Sequence, residues 1–365
     1  MRIAIIGPSH PYKGGIPLHT TELAHRLQAA GHEVALFSWK HQYPKLLYPG
    51  QQRVSGEPEL PLFPNTSEPL SWYDPLSWAR LGRRLRQFDV VVMAYFVPQF
   101  QGTAGLVMLK AMGKHRRAQV VALCHNVLQH DPHLGDKPIT KLFLSRVDRV
   151  LVHSQAEADK AQRFTQKPIY IAKMAAHLPA SSRMAGQHTT GVQHRLLFFG
   201  LIRKYKGVDV LIRALTQVPE VSLIVAGEPR KLEAPLRSLI HELGLEQRVH
   251  LRPEYIPAEE LPSLFAQADA LVLPYRSGTG TQTAAVGFSQ GLPVIVSDLP
   301  GIADDVTPNV NGLICQPNDV DSLAAAIKRL YEPGVLAQLR RGLPDTTTAA
   351  DHAWQTYLKA LLAQN

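Results

Sequence analysis

The chain of 365 residues contains only 2 cysteines, and that scarcity removes a whole class of folds. Cys124 and Cys315 lie far apart and match no metal-ligand spacing, so a disulfide framework and a cysteine metal site are both excluded; the pair fits a reducing compartment. Long hydrophobic runs are missing too. No apolar stretch reaches the ~18 residues that a membrane-spanning helix needs. The segment Met1-Arg-Ile-Ala-Ile-Ile-Gly7 is short and leads into a turn, so it reads as a first strand and not as a secretion signal. Acidic residues are scarce in one half only. Residues 1–200 hold 24 Lys and Arg against 12 Asp and Glu, whereas residues 201–365 hold 15 against 18. Solvated helix faces account for any single cluster, but the asymmetry between halves points to an anionic partner: nucleic acid, an anionic membrane surface or a phosphorylated acceptor. The basic residues are not interleaved with aromatics and no recognition motif is present, which argues against nucleic acid.

What is present is the composition of a folded soluble protein, 45% hydrophobic and 19% charged, long enough for two domains. In the first half, residues 3–7, 33–38, 90–94, 120–124 and 150–152 read as buried strands rich in Val and Ile. Helical spacing separates them at 18–30, 77–87, 102–113 and 155–165. After the small, polar stretch 179–193 the alternation resumes. Strands are expected at 195–200, 222–227, 249–251, 270–273, 293–297 and 312–315. Helices are expected at 208–217, 232–243, 258–267, 282–290 and 321–330, with a last one at 349–363. Strands alternating with helices mean parallel, doubly wound sheets, here in two α/β, Rossmann-like halves. The domains are expected at 1–180 and 194–345, joined by a linker at 181–193 and followed by a terminal helix within 346–365.

Ligands of such sheets bind where a strand's carboxyl end feeds a helix. The stretch Phe198-Phe-Gly-Leu-Ile-Arg203-Lys-Tyr-Lys206-Gly207-Val-Asp209 has this form, and Arg203 and Lys206 suit phosphate better than one cation would. Gly227-Glu228 ends the next strand; its carboxylate either holds a sugar or ribose hydroxyl or caps the following helix. Ser277 to Thr283 offers hydroxyls and glycines before an apolar helix, more than a simple N-cap requires. In the first half, Gly14-Gly15 precedes a helix with Lys13 and His19 nearby, and alone this pair is most simply a βα turn. Cys124-His125-Asn126 follows a strand, and His130 and His133 come later in the same loop. That spacing is no known zinc geometry, so no metal is expected; His125 is the candidate contact, and His130 and His133 read as surface residues.

Together these positions resemble the retaining glycosyltransferases of the GT-B fold, the "group 1" sugar transferases. The likeness covers nearly the whole chain. It is clearest in 198–209, Gly227-Glu228, 291–301 and Asn311-Gly312-Leu313. It implies two Rossmann-like domains facing a central cleft, with the final helix crossing back onto the first. It implies a nucleotide-sugar donor, a UDP- or GDP-sugar, used as substrate with no cofactor. Arg203 and Lys206 would neutralise the diphosphate, Gly14 and Gly15 would lie against donor phosphate and sugar, and His125 would touch the transferred sugar. Glu228, Gly278, Thr279, Gly280, Thr281, Gln282 and Thr283 would complete the donor pocket. One departure is visible. The family often carries two glutamates eight positions apart where this chain has Gly278 and Val286, leaving Thr281, Gln282 and Thr283 as neutral substitutes.

The expected activity is a cytoplasmic, metal-independent, retaining sugar transfer in cell-surface polysaccharide or glycolipid synthesis. The expected acceptor is phosphorylated, lipid-linked or a saccharide. The basic stretch at 77–86 and Lys114, Arg116 and Arg117 would place the protein peripherally at an anionic membrane, the plasma membrane's inner face. A nucleotide-sugar-binding protein with weak or no turnover and a sugar-nucleotide epimerase are the alternatives. The epimerase would need acid/base carboxylates that the motifs do not supply.

Overall fold

A computed structural model describes residues 1–44, 52–54, 60–128, 134–174, 192, 194–229, 231–278 and 280–363. Thr279, His130, His133 and, Val192 apart, the expected linker lie outside the described residues. The chain divides into two compact units. Unit 1 comprises Met1–His177 and His352–Asn365, and unit 2 comprises Leu178–Asp351.

In unit 1 the elements run β1 (Arg2–Ile6), α1 (Gly15–Ala29), β2 (Glu33–His41), β3 (Thr66–Ser71), α2 (Pro75–Arg84), β4 (Val90–Tyr95), α3 (Thr103–Met112), β5 (Gln119–Cys124), α4 (Asp136–Leu144), β6 (Arg149–Val152), α5 (Gln155–Gln162) and β7 (Ile169–Ile171). The strands form one sheet in the order β3-β2-β1-β4-β5-β6-β7, parallel throughout. Side chains alternate across a pleated strand, so each strand serves two cores. Ile3, Ile5, Val92, Val121 and Leu123 point to a face covered by Leu23 and Leu27 of α1. Ala4, Ile6, Val91, Met93 and Ala122 point to the opposite face, packed against Trp78, Met108 and Phe143 of α2, α3 and α4. With both faces buried, these strands read as unbroken Val and Ile runs, which is why the sequence revealed them.

Unit 2 runs β8 (Arg195–Phe199), α6 (Val208–Ala214), β9 (Ser222–Ala226), α7 (Glu233–Glu242), β10 (Val249–Arg252), α8 (Leu261–Phe265), β11 (Ala270–Leu273), α9 (Thr283–Ser289), β12 (Val294–Ser297), β13 (Gly312–Cys315), α10 (Val320–Leu330), α11 (Val335–Arg341) and α12 (Thr346–Leu362). Its sheet has the order β10-β9-β8-β11-β12-β13, again parallel. From His352 onward, α12 belongs to unit 1. Trp354, Tyr357 and Leu361 are at most 1% exposed and share the α1-side core with Ile3, Val92 and Leu123.

Two sheet edges and two helices go beyond the elements read from the sequence. The strand β3 (Thr-Ser-Glu-Pro-Leu-Ser) is polar and contains Pro69, tolerable because it lies at the sheet edge. The opposite edge, β7, has only three residues. The helices α4 and α11 are the others, and among the described residues Cys124 and Cys315 are both free and buried. Burial pushes both thiols up, the Cys315 thiol to about 11, so neither supplies a thiolate nucleophile near neutral pH.

Trp354→Ala is expected to lower the stability of unit 1 by about 3–5 kcal/mol, the usual cost of emptying a fully buried aromatic position. Denaturant unfolding followed by probes in each unit checks this; an unchanged unit 1 transition would show that α12 is not part of its core.

Candidate functional site

Each sheet reverses its strand order once, between β1 and β4 in unit 1 and between β8 and β11 in unit 2. The carboxyl-end crevice at such a reversal is where open α/β sheets bind ligands. Three of the four loops flanking these two points overlap stretches singled out from the sequence: 7–14 after β1, 200–207 after β8 and 274–282 after β11; the loop after β4 was not among them.

In unit 2 the loops meet backbone to backbone. Gly207 (φ 67°) has no room for a side chain, because a Cβ would overlap the Pro274 carbonyl oxygen. Gly227 (φ 146°) faces the Gly200 carbonyl oxygen in the same way. The Gly200 amide donates to Ala226 O and the Ile202 amide to Glu228 O, each at 3.0 Å, continuing the β8–β9 ladder beyond the strands. Arg203 Nη1 donates to Ile202 O at 2.8 Å and to Glu228 O at 3.4 Å, which sets the guanidinium over these strand ends. Lys206 closes a single 3₁₀ turn, its ammonium 5.3 Å from the centre of the buried Tyr275 ring. Glu228 Oε2 is buried and receives no hydrogen bond from the described residues, and neither ring-end group of Tyr275 nor Gln290 Nε2 finds one. A buried carboxylate oxygen without a donor is costly unless a ligand supplies one.

Sequence reasoning assigned no role to Arg276 and Asp209, yet they hold the loop in shape. Arg276 grips Asp209 with two parallel bonds of 2.8 and 2.6 Å and also donates to Lys204 O at 2.8 Å and Asn318 Oδ1 at 2.6 Å. Burial raises the Asp209 carboxyl's pKa, but the hydrogen bonds and charge of Arg276 outweigh it and hold the group below its ordinary value. The cation-bearing turn is thus fastened to the loop after β11. Of the residues placed in that second loop, Thr281 uses its hydroxyl locally, donating to Thr283 Oγ1 at 3.0 Å and accepting from the Thr283 amide at 3.2 Å. Gly278 packs under Ile302, Gly280 has open space on its Cβ side, and Gln282 is the residue before α9.

In unit 1, Gly14 adopts φ 114° and α1 starts at Gly15 without a side-chain cap. Most helices among the described residues share this lack of a cap, and α2, α5 and α10 are capped by Asp74, Ser154 and Asp319. The uncapped start of α1 leaves its first amides to the loop after β1, the arrangement that suits an anion. His125 follows β5 and is 9% exposed, its amide bonded to Tyr95 O at 2.9 Å. Around it lie groups that sequence reasoning left unassigned. His19 of α1 and His153, at the end of β6, are 5.3 and 5.1 Å from it between ring centres. Tyr357 of α12 places its hydroxyl 2.9 Å from His19 Nε2. The signal for His153 was its position: like His125, it directly follows a buried strand. His10, in the loop after β1, is buried with neither ring nitrogen bonded to a described residue. Burial lowers the pKa of His10 and of His153 to about 4.

Comparison with known proteins accords with this geometry. The family described as Glycosyltransferase Family 4 matches residues 13–172, and Glycosyl transferases group 1 matches residues 193–333. A D-inositol 3-phosphate glycosyltransferase of Mycobacterium marinum is 33% identical over 174 residues, 46% of this chain and 36% of that protein. A GDP-mannose-dependent alpha-(1-6)-phosphatidylinositol monomannoside mannosyltransferase of Mycolicibacterium smegmatis is 24% identical over 346 residues, covering 87% of this chain and 85% of that one. The first curated relatives are matched over about a third to a half of their length. Among solved structures, a sucrose-phosphate synthase from Thermosynechococcus elongatus shares the fold with a TM-score of 0.73, at 19% identity and covering 100% of both chains.

The buried histidines set a pH dependence. Their folded pKa values lie below the ordinary 6.5, so the neutral rings stabilise unit 1 above about pH 6.5. That stability is lost as pH falls from 6.5 through 4, because the unfolded chain takes up the protons first. Each ring contributes on the order of 3 kcal/mol. Urea unfolding of unit 1 at pH 7 and pH 4.5 is expected to show the loss, and His153→Gln to reduce it.

Proposed function

From its membership of the group 1 glycosyltransferases, which matches over both units establish, we propose that this chain transfers a sugar from a nucleotide diphosphate to a hydroxyl acceptor, with retention of configuration and without a metal ion. One observation carries this reading: Arg203 and Lys206 stand on a turn clamped by Asp209 and Arg276 at the strand-order reversal of unit 2. Unit 2 then holds the nucleotide diphosphate. As the bond to the sugar breaks, negative charge builds on the departing diphosphate, and the fixed cations Arg203 and Lys206 stabilise it without having to reorganise. The buried Glu228 oxygen accepts from a donor hydroxyl, and Gly278, Gly280, Thr281, Gln282 and Thr283 line the rest. Within unit 1, the proposed ligand groups are His125 and the amides at Gly14 and Gly15. No strong base is required, since the acceptor hydroxyl attacks as the leaving group departs on the same face.

The competing reading is a nucleotide-sugar binder with little turnover. Its support is that neither expected carboxylate position is able to act: Gly278 lies against Ile302, and Val286 packs on the apolar core. Turnover separates the two. Lys206→Ala is expected to lower kcat/KM about 10²–10³-fold with an unchanged thermal midpoint, the scale of losing one fixed electrostatic contact. Near-normal turnover in that variant would remove the assignment. A thermal-shift screen with UDP-, GDP- and ADP-sugars identifies the donor; EDTA resistance and the product's anomeric configuration test the metal-free, retaining mechanism.

The acceptor is proposed to carry phosphate or a lipid, as the names of the two mycobacterial relatives state for theirs. Unit 1 offers a surface for such an acceptor at the plasma membrane's inner face. Tyr73 is 58% and Leu76 65% exposed, and Leu76, Arg80 and Arg83 follow one another at i, i+4 and i+7 along α2. Arg116 does not join this surface, being paired with Asp148 at 2.9 Å. Flotation with phosphatidylglycerol vesicles is expected to carry the protein, and the double variant Arg80→Glu, Arg83→Glu to lose at least tenfold in binding. Equal flotation with phosphatidylcholine alone would count against an anionic surface.

A further inference from the structure

Three histidines of unit 1 lie together, His19 and His125 buried and His153 half-buried, and the hydrogen on one of them has a definite address. His153 Nδ1 is 3.2 Å from the carbonyl oxygen of Ala172, which is able only to accept, so Nδ1 carries the hydrogen. Burial keeps this ring neutral near pH 7, against the opposing influence of the Ala172 bond and the Glu157 charge. Glu157 itself accepts from the Val127 amide at 2.7 Å and from Lys160 at 2.6 Å. A neutral ring with its hydrogen on Nδ1 has its lone pair on Nε2. That Nε2 lies 3.3 Å from His125 Nδ1. The contact is a hydrogen bond only when His125 donates, so His125 Nδ1 bears a hydrogen, and in the neutral ring its Nε2 bears the lone pair.

We propose that His153 is a positioning residue that holds His125 as its Nδ1–H tautomer, leaving the buried Nε2 of His125 as a hydrogen-bond acceptor. The Ala172 carbonyl starts this relay, and Tyr357, whose ring stacks on His153 with centres 5.9 Å apart, backs it from α12. The consequence is one of specificity. A lone pair at Nε2 takes a hydrogen bond from a sugar hydroxyl and repels a phosphate oxygen, whereas an Nε2–H would donate to either and so would not tell them apart. Resting on the transferase reading, this gives the tautomer of His125, and not only its position, a part in telling the donor's sugar from its diphosphate.

Two measurements decide it. In the full-length ¹⁵N-labelled protein without ligand at pH 7, long-range ¹H–¹⁵N spectra are expected to show His125 and His153 both protonated at Nδ1, with each ring assigned by its absence in a single variant. A hydrogen on Nε2 of either ring overturns the proposal whether or not the protein is a transferase. The second measurement compares affinities for UDP and UDP-glucose, or GDP and GDP-mannose if that base binds. His153→Leu is expected to weaken nucleotide-sugar binding at least tenfold while leaving the nucleotide diphosphate within twofold. His153→Gln, whose carboxamide oxygen is able to accept in place of Nε2, is expected to recover the sugar to within threefold of the unmutated protein. Equal losses for diphosphate and sugar, or no loss in His153→Leu, overturn the proposal. Absence of binding by any nucleotide or nucleotide sugar would instead overturn the transferase reading, with the spectra still deciding the tautomer.

Discussion

Main chain touches main chain at the carboxyl ends of β8, β9 and β11, and the candidate site of unit 2 depends on that contact. Any side chain at Gly207 would strike the Pro274 carbonyl, and any at Gly227 the Gly200 carbonyl. Three loops therefore meet closely enough for short side-chain bonds to join them. Arg276 reaches Asp209 and the Lys204 carbonyl across this junction, and Arg203 reaches the Glu228 carbonyl. Cations held by a rigid backbone frame need little reorganisation when an anion arrives, which is what makes a fixed pair effective.

Unit 1 solves its problem differently. Apolar burial of Trp354 and Leu361 docks α12 on the α1 side of the sheet. The same docking delivers the Tyr357 hydroxyl to His19, beside the rings of His125 and His153. A polar cluster so buried is tolerated because its rings are bonded, and because burial holds His153 uncharged. Stability of the last helix and the protonation of the site residues are thus two readings of one packing arrangement.

The legibility of the chain followed burial. Strands inside the sheets were readable because two buried faces demand continuous Val and Ile, as in Val90–Tyr95. The edge strands were not: Thr66–Ser71 is held by its partner β2 despite a proline and a glutamate, a fact no local pattern contains. At the site, Arg203, Lys206 and His125 stood out because polar residues directly after buried strands are conspicuous. Thr281 looked like part of a ligand nest, and its hydroxyl serves the start of α9. Arg276 was visible inside a polar run but its partner was not, since Asp209 lies 67 positions earlier.

Periodicity and the residues at strand ends were enough to establish an α/β chain with two alternating halves and to mark its polar loops. Both are local properties, written over a few adjacent residues. Strand order, the clamp between Asp209 and Arg276, and the contacts that join Ala172, His153 and His125 belong to the folded molecule alone. Each is a contact between residues far apart in the chain, and only the packing of helices on the sheets brings such residues within hydrogen-bonding distance.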